Sequence, residues 1–447
     1  MFRIKKLHLT YTQIIALGYL GIILLGGLLL SLPISSKDGE ATPFINSFFT
    51  ATSATCVTGL VLYDTFIHWT IFGQVVILIL IQTGGLGFMT IMTLFSMFLR
   101  RKIGLRERRL LMESANTMRI GGIVLLVKKI LIGTLIFEGF GTILLTMRFS
   151  PEMGFGPGLY YALFHSVSSF CNAGFDIMGK YGAFTSLTRY SGDIIVNLTI
   201  MSLIIVGGIG FLVWDDVSKH RLRFHKYQLH SKIVLTTTFA LIIGGAVLFY
   251  LFEKSGSFAD MGITETILAS LFQSVTPRTA GFNTIDIAGL SESGSLLTMI
   301  LMIIGGSPGS TAGGIKTTTL VVLILGAVSS SKHTSDLSIF KRRLEDNALK
   351  RASSIAVIYL FATLLSTMTI CATQPFSVKE TLFEVFSAAG TVGLSTGITP
   401  YLNSLSKFII MFLMYGGRVG GLSMALVLAE RRDSVPIQRP TEKIIIG

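Results

Sequence analysis

Apolar stretches long enough to cross a lipid bilayer constrain this chain more than any other feature. A helix needs about 20 apolar residues to cross the hydrocarbon core of roughly 30 Å. Only 14% of the 447 residues carry charge, whereas a soluble domain would carry roughly 25%. The sequence therefore predicts an all-α polytopic membrane protein with eight transmembrane helices, near residues 11–33, 70–99, 123–147, 191–214, 231–253, 294–328, 350–373 and 404–429.

Basic residues concentrate in alternate connections between these stretches. Positive charge marks the cytoplasmic segments of membrane proteins, which predicts a chain in the cell (plasma) membrane with both termini in the cytoplasm. The net charge of +13 then reflects membrane topology and contact with anionic lipid, and no nucleic-acid partner is expected. The basic segments are 1–10, 100–129, 215–232, 329–351 and 430–447.

Enzymatic and metal chemistry find little support in the sequence. The three cysteines, Cys56, Cys171 and Cys371, have no paired spacing, so neither a disulfide framework nor a zinc site is expected. His68, His165 and the scattered acids show no metal-ligand spacing and no pairing of a nucleophile with a base. We therefore expect that the chain is not an enzyme.

A short apolar segment that ends in a glycine loop occurs four times between the long stretches. The segment is too short to cross the membrane. Aligned on its loop glycine, each copy has a large apolar residue ten positions earlier. Because internal repeats decide an architecture, four related units are predicted. Their glycines are Gly59, Gly174, Gly281 and Gly393, and their apolar residues are Phe49, Phe164, Leu271 and Phe383.

A glycine pair in each following helix supports the same register, although close helix packing is the simpler interpretation of any single pair. The pairs are Gly84–Gly85, Gly207–Gly208, Gly305–Gly306 and Gly416–Gly417, and another glycine follows each one at Gly87, Gly210, Gly309 and Gly420. The predicted fold is four parallel M1–P–M2 repeats, each a helix, a re-entrant pore half-helix, a loop and a helix, around a central pore. The repeats are predicted at 11–99, 123–214, 231–328 and 350–429, between cytoplasmic segments at 1–10, 100–122, 215–230, 329–349 and 430–447.

The half-helices indicate cation conduction. Irregular backbone at membrane depth is tolerated only where it is buried in protein or lines a watery cavity. A helix that stops inside the membrane directs its unpaired carbonyls and the negative end of its dipole there, which favours a cation. Glycine loops can present carbonyl oxygens that replace the water around a dehydrated ion. Four such loops around one axis would form a selectivity filter.

The loop sequences TCVTGL, CNAGFD, TAGFN and TVGLS resemble the filter signatures of the Trk/Ktr/HKT superfamily of potassium transporters. The resemblance extends over essentially the whole chain and is strongest to the eight-helix bacterial KtrB branch. It implies potassium uptake through potassium-channel-like repeats, with weaker exclusion of sodium than four TVGYG loops would give. The filter residues that it implies are Thr55, Cys56, Val57, Thr58, Gly59, Cys171, Asn172, Ala173, Gly174, Thr279, Ala280, Gly281, Thr391, Val392 and Gly393.

The third repeat differs in its last helix. The stretch 305–317 is too rich in glycine, serine and threonine to stay helical, and Pro308 removes a backbone donor. It resembles the family's intramembrane gate loop beneath the filter. Its sequence GSTAGGIKT is not a phosphate loop, because Ile315 separates the glycine from Lys316. The implied gate residues are Gly305, Gly306, Pro308, Gly309, Gly313, Gly314, Lys316 and Arg418.

Five charged residues lie near the predicted pore. Arg418 lies within an apolar stretch, where an arginine is expensive and functional by default. By resemblance it projects beneath the filter and limits flux; a second interpretation, compatible with the first, is that it binds carbonyls of a helix end or of the gate loop. Arg278 is expected to point away from the pore and to bind a buried acid or a helix end. Asp64, Asp176 and Asp286 follow the first three loops, either as a cation-attracting ring or as ordinary loop caps.

The resemblance also implies partners outside this chain. It implies a homodimer with one pore per protomer and a cytoplasmic ring of RCK-domain regulatory subunits similar to KtrA. Nucleotide is expected on that regulatory partner and not on this chain, potassium is the transported ion, and sodium is the implied activator. The basic loops 100–129 and 329–351 either dock the ring or only fix the topology.

An alternating-access cation symporter is the alternative function. Such transporters usually contain inverted repeats around a site at the membrane midplane. Each of the four predicted copies contributes two spans, so all four begin from the same side of the membrane. Parallel copies favour a pore along the membrane normal.

Overall fold

The computed structural model describes residues 10–87, 122–221, 223–332 and 336–420, together with Thr90, Thr93, Gly104, Glu107, Arg109, Leu110 and Met112. The predicted C-terminus at 430–447, the predicted N-terminus apart from Thr10 and most of the predicted loop 100–122 lie outside the described residues. The C-terminal parts of the predicted helices 70–99 and 404–429 lie outside them as well.

Helices of three kinds alternate along the described chain. Four leading helices are Tyr11–Ser31, Ile123–Met153, Leu229–Glu253 and Ala348–Thr373. A short helix follows each of them, at Phe44–Thr55, Phe155–Phe170, Ile263–Val275 and Val378–Gly390. A glycine loop and a trailing helix come next, the trailing helices being Ile71–Leu86, Ile194–Gly208, Glu292–Ile303 and Ser404–Val419. Phe211–His220 and Thr317–Ser331 continue the second and third trailing helices after a break.

Smaller elements occupy the connections. One antiparallel hairpin pairs Ser338–Ile339 with Arg342–Arg343, and a single α-helical turn covers Thr65–His68. The 3-10 turns are Pro33–Ser35, Met178–Tyr181, Thr188–Tyr190, Phe224–Lys226 and Thr399–Tyr401.

Several described helices suit a membrane by length and composition. Three leading helices are long and apolar enough to cross one, namely Tyr11–Ser31, Leu229–Glu253 and Ala348–Thr373. The second trailing helix and its continuation qualify together as a fourth span, bent by 97°. The remaining leading helix has 31 residues and carries five charged side chains along its length.

Polar residues fix where the four trailing helices begin. In each case the residue before the helix accepts a hydrogen bond from the backbone N–H three positions further on, which satisfies one of the donors that a helix start leaves unpaired. Each cap lies between a glycine loop and the trailing helix that follows it, at the point where the chain becomes helical again. They are Thr70, Asp193, Ser291 and Asn403.

Three of the trailing helices end at or just before a glycine, and here the structure corrects the sequence prediction. A break was expected only in the third helix, yet all four described trailing helices end within 12 to 16 residues. A glycine with positive φ follows the ends of the first, second and fourth of these helices, in a conformation that residues with a Cβ rarely adopt. The three are Gly87 at 86°, Gly210 at 96° and Gly420 at 99°, whereas Ile304 follows the third helix and Gly309, at 67°, lies further on within the loop.

The helices pack in a closed cycle. Each short helix lies against its own leading and trailing helices. Each trailing helix also packs on the short helix of the following segment, and the fourth trailing helix packs back on the first short helix. This arrangement brings the four glycine loops toward one axis.

Candidate functional site

The four loop glycines meet in a ring. A methyl group on Gly59 would lie 2.5 Å from the Ala173 carbonyl oxygen, and one on Gly174 would lie 2.7 Å from the Ala280 carbonyl oxygen. A methyl group on Gly281 would overlap the Val392 carbonyl oxygen in the same way, and one on Gly393 would overlap that of Thr58. Each glycine therefore faces the next loop around a closed circle, which leaves no room for a Cβ.

The loop backbones share an uncommon conformation. Each loop glycine has a positive φ, and so does the residue two positions before it. Non-glycine residues rarely adopt positive φ, least of all β-branched ones, and such strain clusters at functional sites. Alternation of positive and negative φ turns successive peptide carbonyls toward one side of the chain. The four residues are Val57 at 58°, Asn172 at 60°, Thr279 at 74° and Thr391 at 52°.

Hydroxyl groups on the short helices hold the loops in place. Ser53 accepts a hydrogen bond of 3.1 Å from the Gly59 N–H, and Ser387 accepts one of 3.0 Å from the Gly393 N–H. Ser168 donates to the Phe175 carbonyl at 2.7 Å. Sequence reasoning missed these serines, although a serine six residues before the glycine recurs in three of the four segments.

The third loop has a different register, which corrects the alignment of Leu271. Phe272 is fully buried there, as Phe49, Phe164 and Phe383 are in the other short helices, whereas Leu271 is only partly buried. The hydroxyl that binds the loop belongs to Thr276, five residues before the glycine, and donates to the Phe282 carbonyl. The third segment is therefore one residue shorter between its buried phenylalanine and its loop glycine.

The short helices direct their C-terminal ends at the ring. They end at Thr55, Phe170, Val275 and Gly390, a few residues before the loop glycines. Carbonyls without helical partners and the negative end of each helix dipole therefore point toward the ring. The arrangement can bind a cation without a charged side chain.

Three of the glycine pairs pack against these helix ends. A methyl group on Gly84 would overlap the Thr55 carbonyl, and one on Gly207 would overlap the Phe170 carbonyl. Gly417 stands in the same relation to the Ala389 carbonyl. Close packing, the simpler interpretation of a glycine pair, therefore accounts for the pairs in the first, second and fourth segments.

The third pair opens the predicted gate loop. Ile304 and Ile315 form a parallel bridge that draws the two ends of the loop together. The Gly305 N–H donates to the Ile315 carbonyl at 2.9 Å, and the Thr317 N–H donates to the Gly306 carbonyl at 3.1 Å. The segment is thus a closed loop inserted between two helices.

The same loop binds the broken second trailing helix. The Ser307 N–H donates to the Gly208 carbonyl at 3.0 Å, and the Thr311 N–H donates to the Gly207 carbonyl at 3.3 Å. In return, the Phe211 N–H donates to the Gly309 carbonyl at 2.8 Å. The loop therefore forms hydrogen bonds with backbone N–H and C=O groups that the helix break would leave unpaired.

The loop also contacts the ring and the end of a short helix. The Thr311 hydroxyl donates to the Phe170 carbonyl at 3.2 Å, at the end of the second short helix. A methyl group on Gly313 would overlap the Thr391 side chain. Lys316 Nζ donates to the Ala312 and Gly313 carbonyls at 2.7 and 3.2 Å, so its ammonium group is used within the loop.

Arg418 joins three segments. One guanidinium nitrogen donates to the Thr311 carbonyl in the gate loop, and the other donates to the carbonyls of Gly84 and Gly85 at the end of the first trailing helix. The second of the two interpretations for Arg418, binding to helix-end or gate-loop carbonyls, therefore describes its contacts. These contacts place the guanidinium group beside the gate loop.

Arg278 has a different environment from the one expected. It lies near its loop with 8% of its surface exposed, and one guanidinium nitrogen donates to the Thr238 hydroxyl at 3.4 Å. Among the described residues no carboxylate lies within ion-pair distance, and its Nε has no hydrogen-bond partner. Its partner Thr238 lies in the middle of a leading helix, so neither expected partner, a buried acid or a helix end, is bonded to Arg278 in this part of the chain.

The three aspartates after the loops all cap turns. Asp64 accepts hydrogen bonds of 2.9 Å from the Phe66, Ile67 and Phe184 N–H groups. Asp176 and Asp286 each accept one from the N–H two positions on. Burial, with the charge of Asp64 nearby, raises the pKa of Asp176 to about 7, and the Met178 N–H opposes the rise.

A cycle of helices around four glycine loops defines a helical membrane protein of the ion-transporting class. The chain belongs to the TrkH family of cation transport proteins, whose family model matches residues 22–435. This result confirms the family predicted from the loop sequences. The structure shares its fold with the potassium transporter TrkH from Vibrio parahaemolyticus, at a TM-score of 0.73 and 16% identity, over 96% of this chain and 87% of that one.

Relatives with more similar sequences are named as uptake proteins. The chain is 41% identical to the potassium/sodium uptake protein NtpJ of Enterococcus hirae, over 100% of this chain and 99% of the relative. It is 39% identical to the Ktr system potassium uptake protein B of Bacillus subtilis, over 99% and 98%. The Vibrio alginolyticus protein of the same name is 36% identical, over 97% and 94%.

Proposed function

We propose that this chain takes up potassium across the cell (plasma) membrane through a pore at the ring of four glycine loops. The ring is the observation that supports this proposal most. A carbonyl-lined filter requires strained loops whose glycines approach one another closely, and all four loops have these properties. The names of the relatives supply the ion. The filter would consist of residues 55–59, 171–174, 279–281 and 391–393.

The proposed organisation is four parallel M1–P–M2 repeats around the pore. The cyclic packing of trailing helices on successive short helices supports it. The repeat boundaries would remain 11–99, 123–214, 231–328 and 350–429, with the second helices of the second and third repeats each broken into two. Both termini would lie in the cytoplasm.

The gate would be the loop 305–317 with Arg418. The loop lies against the ends of two short helices, and Arg418 ties it to the first trailing helix. A cation leaving the ring toward the cytoplasm would meet the loop and a positive charge together. Opening would require the hydrogen bond from Arg418 to the Thr311 carbonyl to break.

The ring supports a modest preference for potassium over sodium. Each loop contributes one glycine, and the third loop has a different register from the others. Unequal loops define fewer equivalent binding sites than four identical ones. The relatives named for potassium and for potassium/sodium uptake are consistent with such a filter.

Regulation would come from partner subunits. Relatives are named as one protein of a Ktr system, which supports a membrane subunit that works with others. We propose a homodimer beneath which a cytoplasmic RCK-domain ring binds nucleotide, with sodium as an activator. The basic loop 329–351, which holds the hairpin, would be one docking surface for that ring.

The broken trailing helices would also suit an alternating-access symporter. The two functions differ in what a loop glycine does. In a pore, a side chain at Gly281 enters the ion path and alters which cation passes, whereas a symporter with its site elsewhere would lose only stability.

The test is rubidium uptake, with and without competing sodium, into cells that lack potassium uptake. Gly281→Ser should lower the rate and change the rubidium-to-sodium ratio, because its φ is 82° and a side chain would meet the neighbouring loop. Gly244→Ser is the matched control, since a Cβ there meets nothing within 4 Å. Equal rates and ratios for both variants would refute the pore at this ring.

A further inference from the structure

Each short helix carries a buried polar residue at an equivalent position, which the alignment on the loop glycines did not identify. In each helix the residue directly after the buried phenylalanine is polar, and its side chain is at most 1% exposed. Four polar groups therefore lie at equivalent positions in the protein interior. A polar group without a hydrogen-bond partner costs free energy there. They are Thr50, His165, Gln273 and Glu384.

Glu384 alone among the four binds the chain that follows its loop. One carboxylate oxygen accepts a hydrogen bond from the Ser395 hydroxyl, and the other accepts one of 2.9 Å from the Thr399 hydroxyl. The two hydroxyls lie 3.1 Å apart, and Ser395 also accepts a hydrogen bond of 2.8 Å from the Gly397 N–H. The carboxylate thus anchors the whole turn that leaves the fourth loop, beginning two residues after Gly393.

The other three positions have no such anchor. Thr50 donates to the Asn46 carbonyl within its own helix. His165 binds the Tyr161 carbonyl through Nδ1, while its Nε2 has no partner within the part of the chain that the structure describes. Neither amide atom of Gln273 has a hydrogen-bond partner among the described residues. The carboxylate of Glu384 is therefore a feature of the fourth loop alone.

An acid as buried as Glu384 needs an explanation other than fold stability. Removing a carboxylate from water costs free energy that its hydrogen bonds must offset, and an apolar residue would pack in a helix interior without that cost. Intramembrane acids are functional by default. The contacts of Glu384 all lead to the segment beside Gly393, which faces the Thr58 carbonyl of the neighbouring first loop.

We infer that Glu384 is a positioning residue for ion discrimination, an inference that rests on the proposed potassium pore. Through Ser395 and Thr399 it fixes the C-terminal end of the fourth loop and so the position of Gly393 in the ring. A ring of carbonyls discriminates between potassium and sodium only if its oxygens keep their spacing. Without the carboxylate, the fourth loop relaxes and sodium is coordinated almost as well as potassium.

The test compares variants at Glu384 with a second glutamate of the same helix. Glu384→Ala should reduce the preference for rubidium over sodium by roughly tenfold, the scale of losing one charge-assisted hydrogen bond. Glu384→Gln retains acceptor and shape, so it should restore much of that preference. Glu380→Gln is the control, because Glu380 caps the exposed start of the helix and a glutamine also serves there. Uptake is normalised to the amount of protein in the membrane.

Two further variants keep the test decisive if Glu384→Ala does not reach the membrane. Ser395→Ala and Thr399→Val remove the partners of the carboxylate without changing the helix, and each should shift the preference in the same direction. The double variant Ser395→Ala/Thr399→Val should fall short of the sum of the two single effects, since both hydroxyls act through the same carboxylate.

The outcomes separate this inference from the function beneath it. An unchanged preference in the Glu384, Ser395 and Thr399 variants, together with a changed one in Gly281→Ser, would overturn the positioning role and leave the pore intact. Loss of membrane protein in proportion to loss of uptake, at constant preference, would also overturn it, because that result indicates a folding role. An unchanged Gly281→Ser would instead reject the pore.

Discussion

Arg418 donates a hydrogen bond to the carbonyl oxygen of Thr311, although the two residues are separated by 107 positions in the chain. Thr311 in turn donates its hydroxyl to the end of the second short helix. The fourth trailing helix, the gate loop and the second short helix are therefore linked in sequence. Movement of one of them must be accommodated by the others.

Removing that link should open the path. We expect Arg418→Ala to raise the initial rate of rubidium uptake several-fold, because the gate loop loses its tie to Gly84 and Gly85 and a positive charge leaves the ion path. Arg418→Lys should fall between, since a lysine keeps the charge but cannot reach both partners in one fixed geometry. A rate equal to wild type in Arg418→Ala, at equal abundance, would contradict the gating role.

A methyl group should displace the gate loop. Gly313→Ala places a Cβ against the Thr391 side chain, and overpacking of this kind costs about 1–3 kcal/mol. The expected result is a lower melting temperature of the purified protein in detergent. Gly156→Ala is the control, because a Cβ at that helical position meets nothing within 4 Å. Equal melting temperatures would show that the loop and ring are not in contact.

Uptake should depend on pH through Asp176, which lies outside the helices. Burial raises its pKa to about 7, so the carboxylate is ionised above that pH and neutral below it. We expect uptake at low rubidium concentration to fall as pH is lowered through this value, because the neutral acid no longer attracts cations. In proteoliposomes, Asp176→Asn should be slow and insensitive to pH over the same range, while Asp286→Asn, at an exposed residue, should titrate like wild type.

Arg278 should be a burden on stability. Its buried guanidinium group has one long hydrogen bond and no carboxylate partner among the described residues, and uncompensated buried charge is strongly unfavourable. Arg278→Met should therefore raise the free energy of unfolding by about 1–3 kcal/mol, seen as a higher melting temperature.

The opposite result is expected at a paired arginine. Arg148 binds Glu152 at 2.8 Å and also Asp193, so Arg148→Met should lower the melting temperature. A lower value for Arg278→Met as well would indicate that Arg278 has a counter-anion or bound water in the folded protein.

Local sequence patterns predicted the family and much of what the ring contains. Gly59, Gly174, Gly281 and Gly393 recur because a Cβ has no room at any of them, and a steric requirement leaves the same residue type each time. The family that their loops resemble was confirmed. The roles of the loop residues in ion selection stay predictions that the variants above test.

Other features of the structure could not be predicted from the sequence. Hydropathy follows composition over about 20 residues, so it joined the broken trailing helices into continuous spans and hid the ends at Gly87 and Gly210. Alignment on the glycines alone placed Leu271 where the structure buries Phe272. The partners of Arg278 and Glu384 depend on how distant segments pack, which spacing along one segment does not contain.

The closed cycle of helix packing is made by one continuous chain, so each wall of the ring has its own sequence. In an assembly of four identical subunits, every substitution is copied into all four walls. Here Glu384, Arg278 and the shorter third segment each alter a single wall. Evolution can therefore adjust one side of the ring, for an ion, a gate or a partner, while the other three sides stay as they are.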